Sequence, residues 1–244
     1  MNKGVRDRVA LVTGAGSPIG RAITEKLLAE GATVYLADKV DFEVAPGARA
    51  QKQIADLGDF ATAAAVVQAC VDAFGRIDIL VNNAGGGVIR PFLEHDAESL
   101  EETLRRNLWT CLGCCHAALP HMVRANYGRI VSIGAESVRN GLMDHAGYNA
   151  AKGGVHALAT GLAREFALQD ITVNVIAPSG VATPRAKQLA AEGHPLMRAA
   201  VSAIPKGRLA EVEEIADAVH FLASAEAGFI TGQVISVNGG SSML

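Results

Sequence analysis

The feature that most limits how this chain can fold is a regular alternation of short β-branched runs with Ala- and Leu-rich helical stretches. Residues 9–13, 33–37, 77–82, 129–133, 172–176 and 234–237 are apolar on both faces, as strands of a parallel sheet covered on both sides must be. Residues 53–55 make a weaker strand candidate. Between these runs, 19–30, 61–74, 99–124, 147–169 and 212–223 have helical pattern and length. Strands that alternate with helices predict an α/β fold, a doubly wound parallel sheet with right-handed crossovers in three layers, α/β/α. Residues 39–50, with Pro46 and Gly47, lack a helical pattern, and no full crossover helix is expected there. No linker or repeat divides the chain. Residues 1–244 are read as one domain, with 184–205 forming a lid of one or two helices over the site.

Composition excludes several functions. Half the residues are hydrophobic, so a large core is available, and a formal net charge of −3 gives no overall positive field. Neither nucleic acid nor an acidic membrane is therefore an expected partner. No apolar run approaches the ~20 residues that span a bilayer, and the polar start is unlike a signal peptide. A soluble, cytoplasmic protein is the expectation. Cys111, Cys114 and Cys115 cluster near His116 and His121. A partial metal site is conceivable there, but small buried thiols explain the cluster equally, so no metal is assigned. Disulfides are not expected in a reducing compartment.

The first strand runs into Thr13-Gly14-Ala15-Gly16-Ser17-Pro18-Ile19-Gly20 and then a helix. Glycines in such a turn let backbone approach a pyrophosphate, and the helix N-terminus offers free N–H groups to that anion. The strand-turn-helix setting makes this a Rossmann-like dinucleotide site rather than only a tight turn. Asp38 ends the second strand, 18 residues after Gly20. A carboxylate there accepts from the adenosine ribose hydroxyls and repels a 2′-phosphate, which favours NAD over NADP. Lys39 beside it weakens that preference, and a turn-capping aspartate is the plain alternative. Asp56 has two readings, a partner for the adenine amino group or a solvated turn residue.

With the Thr13–Gly20 turn, Asn82-Asn83-Ala84-Gly85, Asn107, Tyr148-x-x-x-Lys152 and Pro178-Ser179-Gly180-Val181-Ala182-Thr183 follow in order, down to Val237-Asn238-Gly239-Gly240. The set resembles the short-chain dehydrogenase/reductase family in its single-domain form of about 250 residues. The resemblance covers almost the whole chain. It implies an NAD(H)-dependent oxidoreductase that moves a hydride between nicotinamide and a secondary alcohol or ketone. Gly14, Ser17, Pro18, Ile19, Gly20, Asp38, Asp56, Leu57, Asn83, Ala84, Gly85, Tyr148, Lys152, Pro178, Val181 and Thr183 would line the cofactor site. Val181, through its backbone, and Thr183 would meet the nicotinamide carboxamide. Family members form homodimers or homotetramers through the two long helices, here 99–124 and 147–169.

Tyr148 is the expected acid/base. Free tyrosine, with a pKa near ~10, is a poor base at neutral pH. Lys152, four residues on, shares its helix face, and its charge together with that of oxidised nicotinamide favours the phenolate. Asn107 resembles the family asparagine that supports a water relay to the lysine. The chain departs from the family at Ala135, thirteen positions before Tyr148, where a serine normally hydrogen-bonds the substrate oxygen. In an extended loop Ser137 would point the same way as Ala135. Glu136 or a backbone-held water are the other replacements considered. Losing one such donor can cost ~10²–10³ in rate. Pro18 and Ser179 are smaller departures, and Pro18 suits a first helical turn.

Substrate contacts are expected from 86–95, 137–147 and 184–205, with Ala135, Ser137 and His145 as candidates. Arg90, Arg139, His145, Arg185 and His194 in these stretches would favour an anionic substrate, unless they are ordinary solvated charges. Three functions fit. One is a dehydrogenase or reductase of a small alcohol or ketone, including 3-oxoacyl thioesters. Another is a cis-dihydrodiol dehydrogenase of aromatic degradation, in which a second substrate hydroxyl offsets the missing serine. The last is a weakly catalytic NAD-binding sensor, favoured only by Ala135.

Overall fold

The computed structural model describes residues 4–44 and 48–243. Pro46 and Gly47 lie outside them, and the described part of 39–50 contains no helix. The strands are β1 (Val9–Thr13), β2 (Thr33–Asp38), β3 (Ala50–Ile54), β4 (Ile79–Asn82), β5 (Gly128–Ile133), β6 (Ile171–Pro178) and β7 (Val234–Val237). They pair in the order β3-β2-β1-β4-β5-β6-β7, every pair parallel. The chain works outward from β1 to β3, crosses back to β4 and works outward the other way. The crevice where the order reverses, beyond the carboxyl ends of β1 and β4, is where such sheets bind ligands.

Alternate strand residues feed two cores. Leu11, Leu80 and Ile130 pack with Val66 and Cys70 of α2 (Phe60–Phe74), Cys114 and Ala118 of α4 (Thr110–Ala125) and Val155 and Ala159 of α6 (Ala146–Glu165). Ala10, Val12, Ile79 and Val81 face Ile23 and Leu27 of α1 (Pro18–Ala29) and Ile215 and Val219 of α9 (Val212–Ala223). All four cysteines are buried and unbonded to one another. Among the described residues no three His, Cys, Asp or Glu side chains are placed to hold a metal ion, and no helix is long and apolar enough to cross a membrane.

Three expectations need correction. The stretch 99–124 is not one regular helix: α3 (Ala97–Leu104) passes through a π-helical turn, Arg105–Trp109, into α4. At that turn the Asn107 side chain donates to Thr103 O at 2.8 Å and also to Gly86 O at 2.7 Å. A side chain that ties a helix to a neighbouring loop in this way favours the wider turn. Next, β3 covers residues 50–54 rather than 53–55. It is a polar edge strand, whose half-exposed Gln51-Lys52-Gln53 carries little apolar pattern. Finally, Ser137 is not in an extended loop. It opens a single helical turn, α5 (Ser137–Asn140).

After β6 the chain forms two short helices, α7 (Pro184–Ala191) and α8 (Pro195–Ser202). A small core of Ala182, Ile204 and Leu209 anchors them, with Ala186, Met197 and Val201 packed against it.

Candidate active site

A cleft of about 400 Å³ opens at the carboxyl ends of β1, β2, β4 and β5. Gly14, Ser17, Pro18 and Ile19 line it, as do Asp38, Asp56, Leu57, Asn83, Ala84, Gly85, Tyr148, Lys152 and Thr183. Gly20 lies behind the turn and is needed for its shape: a Cβ there would sit 2.2 Å from Gly14 O and 2.9 Å from Ala15 Cα. Gly14 has φ +62°, and a Cβ on it would meet Ala84 Cα at 2.8 Å. Ser17 caps α1, accepting from Gly20 N at 3.1 Å, and Pro18 takes the first helical position. The turn is fixed to β4 by Asn83, whose Nδ2 donates to Thr13 O, Gly14 O and Ser17 Oγ.

Asp38 accepts from Gly16 N at 2.9 Å and from Val40 N at 3.1 Å. Each carboxylate oxygen keeps a second lone pair for a ligand hydroxyl. Asp56 caps Gly58 N at 3.0 Å and pairs with Arg105 at 2.9 Å. The Gly58 N–H, then the guanidinium, hold its carboxyl below the usual range.

At the other end of the cleft, α6 carries Tyr148, Lys152 and His156 down one face. Lys152 is buried and donates to Ile133 O at 2.7 Å. Burial lowers its pKa to about 8. Burial pushes Tyr148 the opposite way, up to about 12. The Lys152 Nζ lies 5.9 Å from the Tyr148 ring centre. Burial thus works against the phenolate that the Tyr-Lys spacing was expected to favour. Asn107 reaches the same place from the π turn. A Cβ on Gly85 would meet Asn107 Oδ1 at 2.7 Å and Lys152 Nζ at 3.2 Å, so only glycine lets these two groups approach across the loop. The Asn107 Oδ1 also accepts from Gly86 N at 3.2 Å.

Several sequence-derived candidates fall outside the cleft lining: Gly20, Asn107, Ala135, Ser137, His145, Pro178 and Val181. Ser137 Oγ is 2.6 Å from Asn149 Oδ1 and donates to it, so it does not replace the serine. Glu136 is buried and paired with Ser242 near the far end of the chain. Arg139 turns to β7, where it donates to Ser236 Oγ and Val234 O, and does not belong to the mouth. Val181 bridges to Ala210, and its carbonyl accepts from Thr183 N. His145, though not part of the lining, packs against Tyr148, its ring nearly perpendicular to the phenol with 6.1 Å between centres.

Sequence reasoning missed Arg106 and Thr110, which line the cleft because the π turn rotates them toward it. It also missed His156, whose Nε2 accepts from Ala135 N at 3.3 Å. Burial pushes this imidazole down to about 4, which keeps it neutral. Its spacing of eight from Tyr148 was the available signal.

A family model described as enoyl-(acyl carrier protein) reductase matches residues 14–242. The chain belongs to the short-chain dehydrogenase/reductase family. It is an oxidoreductase that acts on CH–OH groups. It is 50% identical to a 2,3-dihydroxy-2,3-dihydro-p-cumate dehydrogenase of Pseudomonas putida strain F1, over 97% of this chain and 95% of the relative. It is 35% identical to a 1,6-dihydroxycyclohexa-2,4-diene-1-carboxylate dehydrogenase of Pseudomonas putida, over 98% of this chain and 94% of that one. Among solved structures, levodione reductase superposes with a TM-score of 0.89 at 32% identity, over 96% of this chain and 97% of the other.

Proposed function

We propose that this dehydrogenase uses NAD(H), with Tyr148 as acid/base, to oxidise a cis-dihydrodiol of an aromatic carboxylic acid to the corresponding ketone. The reading is carried by one observation: Tyr148 and Lys152 open into the same cleft as the Gly14–Ile19 turn and Asp38. The glycine cradle that no Cβ could share fits a dinucleotide. Gly14, Ser17, Pro18 and Ile19 would hold its pyrophosphate. Asp38 would hold the adenosine ribose and exclude a 2′-phosphate, Asp56 and Leu57 would flank the adenine, and Asn83, Ala84 and Gly85 would form the floor. Pro178, Val181 and Thr183 would border the nicotinamide end. A bound nicotinamide supplies the hydride acceptor.

In oxidation the Tyr148 phenolate takes the proton of the reacting hydroxyl as the carbinol carbon gives up its hydride. In reduction the phenol returns that proton. Lys152 donates one N–H to Ile133 O and keeps two for the ribose hydroxyls, and its charge opposes the desolvation of the phenolate. Asn107 stands beside the lysine as the start of a proton path outward. The lid is α7 and α8, gating access. The working form is a cytoplasmic homodimer or homotetramer joined through α4 and α6. The exposed Trp109, at the turn leading into α4, and Phe60 of α2, with ring centres 6.5 Å apart, form an apolar patch beside α4 that supports a covered face.

Two facts favour a diol. Ala135 offers the substrate no hydroxyl, so a second substrate hydroxyl gives the enzyme another anchor. Two relatives also act, by their names, on dihydroxy ring carboxylates. The test supplies NAD+ and the cis-dihydrodiol of a benzoate and follows NADH absorbance. Diol-dependent NADH formation is expected, falling on the order of 10²-fold or more in Tyr148→Phe. NADH binding without turnover on any diol, alcohol or ketone would instead make the protein a sensor.

A further inference from the structure

We propose that His145 is the hydrogen-bond acceptor for the second, non-reacting hydroxyl of the diol, and so sets the preference for vicinal diols. This rests on the diol reading above. His145 occupies the N-cap of α6, a position that favours small side chains able to accept from the helix's free N–H groups. Its imidazole makes no such bond. The ring instead stands edge-on to Tyr148, 6.1 Å between centres at 77°. The cap residue has been turned away from its helix and toward the acid/base.

The orientation of the ring also fixes its chemistry. Nδ1 lies 2.6 Å from Met143 O. A carbonyl can only accept, so Nδ1 carries the proton. In the tautomer with the proton on Nδ1, Nε2 is a bare lone pair. That atom suits a hydroxyl donor and is wrong for polarising a ketone oxygen. His145 is thus no substitute for the missing serine. It accepts a hydrogen bond from the neighbouring hydroxyl, while Tyr148 handles the reacting one. In a cis-diol the two oxygens lie within a hydrogen-bond length of each other, so adjacent rings can address adjacent oxygens.

The backbone before His145 is arranged for this placement. Asp144 adopts φ +63°, a left-handed conformation that aspartate tolerates better than most residues. Such conformations persist where the surroundings hold them and are common at binding sites. Of the neighbouring polar groups, Ser137 donates to Asn149 and Glu136 accepts from Ser242 through one carboxylate oxygen.

The experiment compares kcat/KM for cis-1,2-dihydroxycyclohexa-3,5-diene and for the mono-alcohol cyclohex-2-en-1-ol, in wild type, His145→Phe and His145→Gln. Phenylalanine keeps the edge contact with Tyr148 and removes the acceptor, whereas glutamine offers an amide oxygen in its place. The diol-to-mono-alcohol ratio should fall about tenfold in His145→Phe, the size of one net hydrogen bond, and recover in part in His145→Gln. An unchanged ratio, or equal losses on both substrates, overturns the role of His145 while leaving the diol reading standing. A wild-type enzyme with no preference for the diol overturns both.

Discussion

Replacing Lys152 with methionine keeps most of the side-chain volume and removes the charge. Its consequence for Tyr148 can be worked from the structure. Burial alone holds the phenol at about 12. The lysine Nζ is 5.9 Å from the ring centre. With the phenolate charge placed at the ring centre, Coulomb's law at an effective dielectric of about 20 gives an attraction of about 3 kcal/mol, or about two pK units. A charged Lys152 thus returns the phenol only to its ordinary range, and the positive nicotinamide must supply the remainder. The two groups share their protons, so the apparent values belong to the pair. In Lys152→Met the acid limb of kcat/KM for alcohol oxidation should move up by about two pH units. The phenolate absorbance of the free protein, taken against Tyr148→Phe, should not appear below about pH 12. An acid limb in Lys152→Met that coincides with wild type would refute the electrostatic role and leave Lys152 only the ribose contact.

The same substitution should stabilise the fold at neutral pH. Burial depresses Lys152 from 10.5 to about 8, so the folded state binds fewer protons than the unfolded one between these values. Stability rises with pH through that window, and below pH 8 the buried charge carries its full penalty, on the order of 3 kcal/mol. Less the lost bond to Ile133 O, Lys152→Met should gain about 2 kcal/mol at pH 7, read as a higher urea midpoint, and the gain should shrink above pH 8. Asp38→Asn keeps an acceptor for Gly16 N and removes the charge, so the preference for NAD+ over NADP+ should drop on the order of tenfold or more in kcat/KM. Gly20→Ala places a Cβ 2.2 Å from Gly14 O. It should cost about 1–3 kcal/mol in denaturant unfolding and weaken NADH binding measured by fluorescence.

What the chain spelled out locally, the structure contains. Strands buried on both faces announce themselves by continuous apolar runs. The Gly14–Gly20 turn is visible because its glycines are each demanded by a close approach. A tyrosine and a lysine four apart share a face in any helix. What could not be read depends on partners distant in sequence. No proline or glycine marks Arg105–Trp109 as irregular; its wider turn goes with the Asn107 bond to Gly86, 21 residues earlier. Glu136 looked available until Ser242, 106 residues on, was seen to occupy it. Ser137 was placed by assuming an extended loop, and one turn of helix sent its hydroxyl to Asn149 instead.

The departure that removes a side-chain donor, Ala135, falls on the substrate side of the site. The cofactor side is overdetermined: Asn83 fixes the turn with three bonds, and Gly85 admits Asn107 and Lys152 together. A substitution on that side would disturb several contacts at once. On the substrate side, Ala135 has lost the hydroxyl, yet its backbone N–H is held by His156, a neutral imidazole where the sequence promised only another helix residue. The loop that would have carried the serine is therefore kept in place by a bond from beneath. Lys152 is tied to Ile133 O and Ala135 N to His156, so the backbone under the proton-transfer pair is held independently of His145, which meets the pair at Tyr148. On the diol reading proposed above, discrimination would rest on the rim from Gly141 to His145, where changing one side chain would alter which molecule is held without moving Tyr148.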